Sequence, residues 1–205
     1  PELLQLPLDV KGEGGITIQL FRKNIFSDKS SYHLASAPDK AIDNSKNAVH
    51  YWGIVSGYEE NSLAAFSFTT SGVNGMISMK GKTWEFGRLK NDNKNYILYE
   101  TAHLLKSFPQ LCSVEEFPEL MEIQEESEQN TGNPPASVVS DNCIRVHLEI
   151  DYDIFQNKGG ATEAQNYVEG AFSQVAVLYA NEGITTIVSD VFVWDEPSPY
   201  DGPGS

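Results

Sequence analysis

Lysine and arginine are absent from the whole stretch between Lys106 and Arg145, where Glu115, Glu116, Glu119, Glu122, Glu125, Glu126 and Glu128 accumulate instead. Bases are scarce throughout: 14 Lys and Arg stand against 29 Asp and Glu, a formal net charge of -15. That balance argues against nucleic acid and anionic membrane surfaces as partners, because both are polyanions. No apolar run approaches the roughly 20 residues that a membrane-spanning helix needs. Two cysteines, Cys112 and Cys143, are too few for a disulfide-rich scaffold. They leave one disulfide, two buried thiols, or a thiol with a chemical task. His33, His50, His103 and His147 lie far apart and none precedes a Glu, so no H-E-x-x-H zinc helix is present. There is no G-x-S-x-G nucleophile elbow. Gly159-Gly160 lacks a phosphate-loop lysine, and no residue of the chain is assigned a catalytic role.

What is present is enough apolar material for a core, at 40% of 205 residues. The first hundred residues read as β-rich. Ile16, Ile18 and Leu20 alternate after a Gly-rich turn, and the run from His50 to Val55 is a second strand. Ser62 to Phe68 is a third, and Gly72-Val73-Asn74-Gly75 reads as a turn before Met76, Ile77 and Met79. Gly81 breaks that strand before Trp84-Glu85-Phe86, and Tyr96 to Tyr99 closes the series. Short strands with frequent Gly and Asn indicate an antiparallel meander, sandwich or barrel. Its Trp, Tyr and Phe residues are read as core. The polar stretch from Ser36 to Asn47 reads as a surface loop.

The basic-residue gap ends in Asn130-Thr131-Gly132-Asn133-Pro134-Pro135, which has linker chemistry. It divides the chain into a β-rich unit at 1–108, an acidic linker at 109–141 and a second unit at 142–205. In the second unit Ile144, Val146, Leu148 and Ile150 alternate as a strand, and Thr162 opens a helix. Thr162 and Gln165 suit a capping box. Ala164, Tyr167, Val168, Ala171, Phe172, Val175, Leu178 and Tyr179 form an apolar helical face, and Gly183 stands at C′. Alternation returns from Ile184 to Trp194, so a parallel crossover is expected. The fold class is therefore α+β: an antiparallel β-rich domain followed by the strand–helix–strand start of an α/β domain. One strand, one helix and one strand cannot cover both faces of a sheet, so the second unit reads as the front of something larger. His147 and Glu149 share a strand face and could suit a ligand pair, although a hydrogen-bonded strand histidine is the plainer reading. Asp195, Glu196 and Asp201 could hold a cation, but an acidic loop after a strand explains them as well.

Arg145 to Phe155 resembles the opening strand of the reprolysin (adamalysin) zinc metalloproteases, a metzincin family, and particularly their bacterial relatives. Phe172 to Ile184 is similar to that family's first long helix. Ser189-Asp190-Val191-Phe192-Val193-Trp194 and Pro199-Tyr200 resemble its second strand and following loop. Upstream, His50-Tyr51-Trp52-Gly53-Ile54-Val55-Ser56-Gly57 resembles the H-Y-x-G-x-V-x-G strand of the family's propeptide. Ser62 to Ser67 and Gly72 to Ile77 resemble the S-x-A-A-x-S…G-x-x-G-x-I run after it. Cys112 sits in Pro109-Gln110-Leu111-Cys112-Ser113-Val114, where the family carries P-K-x-C-G-V. The resemblance makes it the candidate cysteine switch, a thiolate filling the fourth position on zinc. The Lys and Gly of that motif are missing, and a Cys112–Cys143 disulfide is the competing assignment. Arg145 stands where some members carry a calcium-binding Glu, so calcium is not carried over.

The resemblance implies the propeptide and zymogen region of a secreted, extracellular or periplasmic bacterial zinc metalloendopeptidase. Zinc would belong to the parent protein, its binding helix is expected beyond Ser205, and the 205-residue chain is expected to be inactive and without cofactor. The partners implied are the remainder of its own catalytic domain and, for the parent, peptide substrates. Without a basic cleavage site in the linker, processing elsewhere or by the enzyme itself is expected. The competing reading is a non-enzymatic secreted β-sandwich for binding or adhesion, with the aromatics of residues 50 to 100 as its surface.

Overall fold

The computed structural model describes residues 1–40, 48–89, 92, 94–104 and 143–199. Among the described residues, ten strands form two sheets, and the longer of two α-helices lies between them. In chain order the elements are β1 (Leu3–Val10), β2 (Gly14–Lys23), β3 (Phe26–Leu34), β4 (Ala48–Val55), β5 (Ser62–Thr69) and β6 (Gly72–Met79). There follow β7 (Lys82–Arg88), β8 (Tyr96–Glu100), β9 (Ile144–Ile150), α1 (Tyr152–Lys158), α2 (Ala161–Asn181) and β10 (Thr186–Val193). The large sheet has the order β1-β2-β4-β5-β6-β7-β8 and is antiparallel throughout. The small sheet has the order β3-β10-β9, with both pairs parallel.

Period-two alternation builds the large sheet. Leu4, Leu6, Leu8 and Val10 of β1 and Ile16, Ile18 and Leu20 of β2 point to one face, where Tyr51, Val55, Phe66, Ile77, Met79 and Trp84 complete a core. Full burial of each of the larger side chains contributes about 1.5–3 kcal/mol. The tight connection between β6 and β7 has positive φ at both Lys80 and Gly81, the twist that a two-residue hairpin requires. Gly75 has a packing reason: a Cβ there would lie 2.5 Å from the Phe66 ring, so the glycine makes room for the largest fully buried side chain. The sequence reading placed Gly72–Gly75 in a turn, but these residues begin β6; the turn falls at Thr70 and Ser71. Of the aromatic residues expected in the core, Tyr51, Phe66 and Trp84 are buried, whereas Phe21, Tyr58 and Tyr96 are exposed.

The opposite face of β4, β5 and β6 seats α2, which packs on its other side against β9 and β10. Strand β9 ends at Ile150, and Tyr152 to Phe155, expected from the resemblance to continue it, lie in the helix Tyr152–Lys158. Asp151 caps that helix, accepting a bond from the Tyr152 amide at 2.7 Å and another from Ser198 Oγ. The expected capping box at the head of α2 is not formed. Gly160 is the N-cap, and Gln165 turns inward to donate to Glu169. At the other end Gly183 has φ 77, and the bonds Gly183 N to Ala180 O and Ile184 N to Tyr179 O form a Schellman motif.

The buried face of α2 also differs from expectation. Ala164 is buried, and Val168 and Phe172 pack beside it against the small sheet's core. Tyr167, Val175, Leu178 and Tyr179, however, are each about half exposed, between 47% and 48%. The face toward the large sheet is mostly small and polar, with Gln165, Asn166, Glu169, Gly170 and Ser173 buried, and turns apolar only at its C-terminal end, where Val177 packs on Ala65 and Met76. A helix between two sheets is not governed by one apolar stripe, so the periodicity found a boundary line and missed the inner face.

Candidate functional site

The two sheets and α2 meet at a buried polar junction. Register puts His50 and Trp52 of β4 on the face away from the core, beside Ser67 of β5, because alternate strand residues face opposite sides. His50 is 3% exposed, Ser67 1%, Glu169 3%, Gln165 6% and Asn166 3%. His50 Nδ1 lies 2.8 Å from Ser67 Oγ, and its Nε2 lies 3.9 Å from Glu169 Oε2 without a hydrogen-bond partner. Glu169 accepts a short bond from Gln165 one turn earlier. Trp52 Nε1 donates to Ser173 Oγ at 3.0 Å, and Asn74 of β6 lies in the notch left by Gly170. A Cβ at Gly170 would come within 2.7 Å of Asn74 Oδ1.

Burial governs the electrostatics of this junction. It holds the His50 imidazole down from its ordinary value to about 4, since charging it would mean solvating a cation in a dry site. Tyr32 of β3 is pushed up to about 12, first by burial and then by the negative charges of Glu169 and Asp195. Ser67, His50 and Glu169 lie in a line resembling a nucleophile, base and acid. Ser67 is too deeply enclosed to meet a substrate, so the line is a structural network and not an acyl-transfer site.

A second cluster joins β3 to the strands from the far end of the chain. The register of β10 slips between Val188 and Asp190, with Ser189 Oγ donating to Val146 O at 3.1 Å. Such a bulge re-aims the following side chain. Asp190 then accepts from Ser31 Oγ at 2.5 Å, with His147 Nδ1 at 2.9 Å and His33 Nε2 at 3.6 Å. His33 Nδ1 lies 2.9 Å from Pro38 O; a carbonyl only accepts, so that nitrogen carries the proton.

Sequence-predicted residues fall as follows. His147 bonds to Asp190, while Glu149 accepts from Trp194 Nε1 at 2.7 Å, so the two do not act as a ligand pair. Asp195 accepts from the Ser36 amide and hydroxyl, anchoring the loop after β3 to the loop after β10. Cys143 is half-buried at the foot of β9. Cys112, the acidic linker at 109–141, the loop residues 41–47 and Asp201 lie outside the described residues. Among the described residues no group of three or more His, Cys, Asp or Glu side chains is arranged to hold a metal ion. Glu169, Ser67, Ser31 and Ser173 were missed from sequence because their partners lie from 17 to 159 residues away, beyond any local spacing rule. Comparison with protein-family models and with curated proteins gives no match to the chain.

Proposed function

We propose that residues 1–108 are a propeptide-like template and restraint for the strand–helix–strand unit that follows, in the zymogen of a secreted zinc metalloendopeptidase of reprolysin type. The observation that carries this reading is the polarity of the seat of α2. Gln165, Asn166, Glu169 and Ser173 are buried on α2, and its apolar cluster with the large sheet is small, Val177 on Ala65 and Met76, whereas an obligate core would be lined mainly with Leu, Ile and Val. A helix face that must be soluble after its cover is removed is better built from small and polar side chains. The placement of β3 supports the template role. It leaves the order of the antiparallel sheet to pair in parallel with β10 and so adds a strand to the α/β unit. The sequence resemblance supplies the enzyme class, and zinc would bind in the parent beyond this chain.

Two measurements test the reading. Extending the open reading frame past Ser205 is expected to reveal H-E-x-x-H-x-x-G-x-x-H. The 205-residue chain itself is expected to hold no stoichiometric zinc and to hydrolyse no peptide; metal analysis showing one zinc per chain, or any turnover, overturns the proposal.

A further inference from the structure

His50 is a buried titratable ring at the point where both halves of the junction meet. Every element around it contributes. From α2 come Glu169, 3.9 Å from Nε2, and Gln165, which holds that carboxylate. From β3 come Phe26, its ring 6.3 Å away and tilted by 53°, and Tyr32, which lies in the field of Glu169. From β5 comes Ser67, which occupies Nδ1. From β2 comes Lys23, directly opposite His50 in the register, with its ammonium over the Trp52 ring at 4.8 Å. A cleft of about 320 Å³ lined by Glu2, Arg22, Lys23 and Phe26 reaches His50 and gives a proton its way in.

We infer that His50 is an acid-sensitive latch whose protonation unseats α2 from the large sheet. One nitrogen of the neutral ring is held by Ser67, and the other faces the helix with no hydrogen-bond partner. The imidazolium is disfavoured there because burial leaves it almost no water. Glu169 opposes this, but at 3.9 Å it is beyond hydrogen-bond range and is shared with Gln165. Unseating exposes His50 and restores its ordinary proton affinity. With a seated value of about 4 against an ordinary 6.5, the seated form gains its full advantage above pH 6.5. It loses that advantage as pH falls, by about thirtyfold at pH 5 and about three hundredfold below pH 4.

As a regulatory device this rests on the propeptide reading: acid would weaken the restraint on the unit that α2 belongs to. The experiment follows the indole N–H of Trp52, donated to Ser173, and hydrogen exchange in α2 by NMR as the 205-residue chain is taken from pH 7.5 to 4. The expected result is loss of the Trp52 signal and of α2 protection below pH 6 while the β1 and β2 amides stay protected. His50→Gln, neutral at every pH, should abolish that step. Should His50→Gln not fold, the His50 ring of the unaltered chain supplies the test: its signals should stay those of a neutral ring until the Trp52 signal is lost. An unchanged step in His50→Gln, a His50 ring that takes up its proton while Trp52 still reports a closed seat, or an unmoved Trp52 at pH 4 overturns the latch. A chain nicked within 113–141 separates the two ideas. If its fragments stay together in acid although Trp52 reports an open seat, the latch stands and the propeptide reading fails.

Discussion

The two sheets of this protein were assembled by different rules. Most neighbours in the large sheet are consecutive in sequence, so each hairpin closes a short loop and can form early. The small sheet joins β3 to β10 across about 160 residues and β9 to β10 through both helices. Its pairing must wait for the rest of the molecule. The large sheet keeps its own apolar core on one face and lends the other to a helix, whereas the small sheet has a core only because α2 covers it. Local closure thus yields a sheet with a core of its own, and remote closure one that depends on its neighbours.

Substitutions can break or sharpen that contrast. The largest effect is expected for Phe66→Ala, which empties the middle of the main core and removes the ring lying over Gly75; about 3–5 kcal/mol of stability should be lost in urea unfolding. Because α2, which covers the small sheet, is seated on the large one, that loss should take both sheets together. Ile150→Ala, in the small sheet's core, should cost about 2–4 kcal/mol at that site. Here hydrogen exchange should rise in β9, β10 and β3 while β1 and β2 remain protected. Equal deprotection of both sheets would show that they form one cooperative unit. The smallest effect is expected for Asp190→Ala, which removes the acceptor of Ser31 and the neighbour of two histidines on a partly exposed surface. It should cost about 1 kcal/mol, read as faster exchange in β3 alone.

How legible each region was follows from the same contrast. Strands β2, β4, β5, β7 and β8 could be read from alternation and turn residues, since their partners lie next to them in the chain. Alternation in β1 was equally plain, with Leu4, Leu6, Leu8 and Val10 on one face, and should have been found. Strand β3 could not be: Phe-Ser-Asp-Lys-Ser-Ser-Tyr-His-Leu has no regular period, and its role depends on β10. The C′ glycine of α2 was legible because a left-handed φ is a local demand. Its buried face was not, because which side of a helix is covered depends on how many layers surround it.

By itself, the sequence determined a β-rich first half, an acidic divide without bases, and a strand–helix–strand second half with its turn residues. These are consequences of periodicity, charge and backbone conformation, which act over a few residues. Tertiary structure alone decided that β3 crosses into the second unit. It alone brought His50, Glu169 and Ser67 into one dry pocket and gave Asp190 its two histidines. Those arrangements depend on which surfaces exclude water from one another, and exclusion of water is a property of the assembled layers.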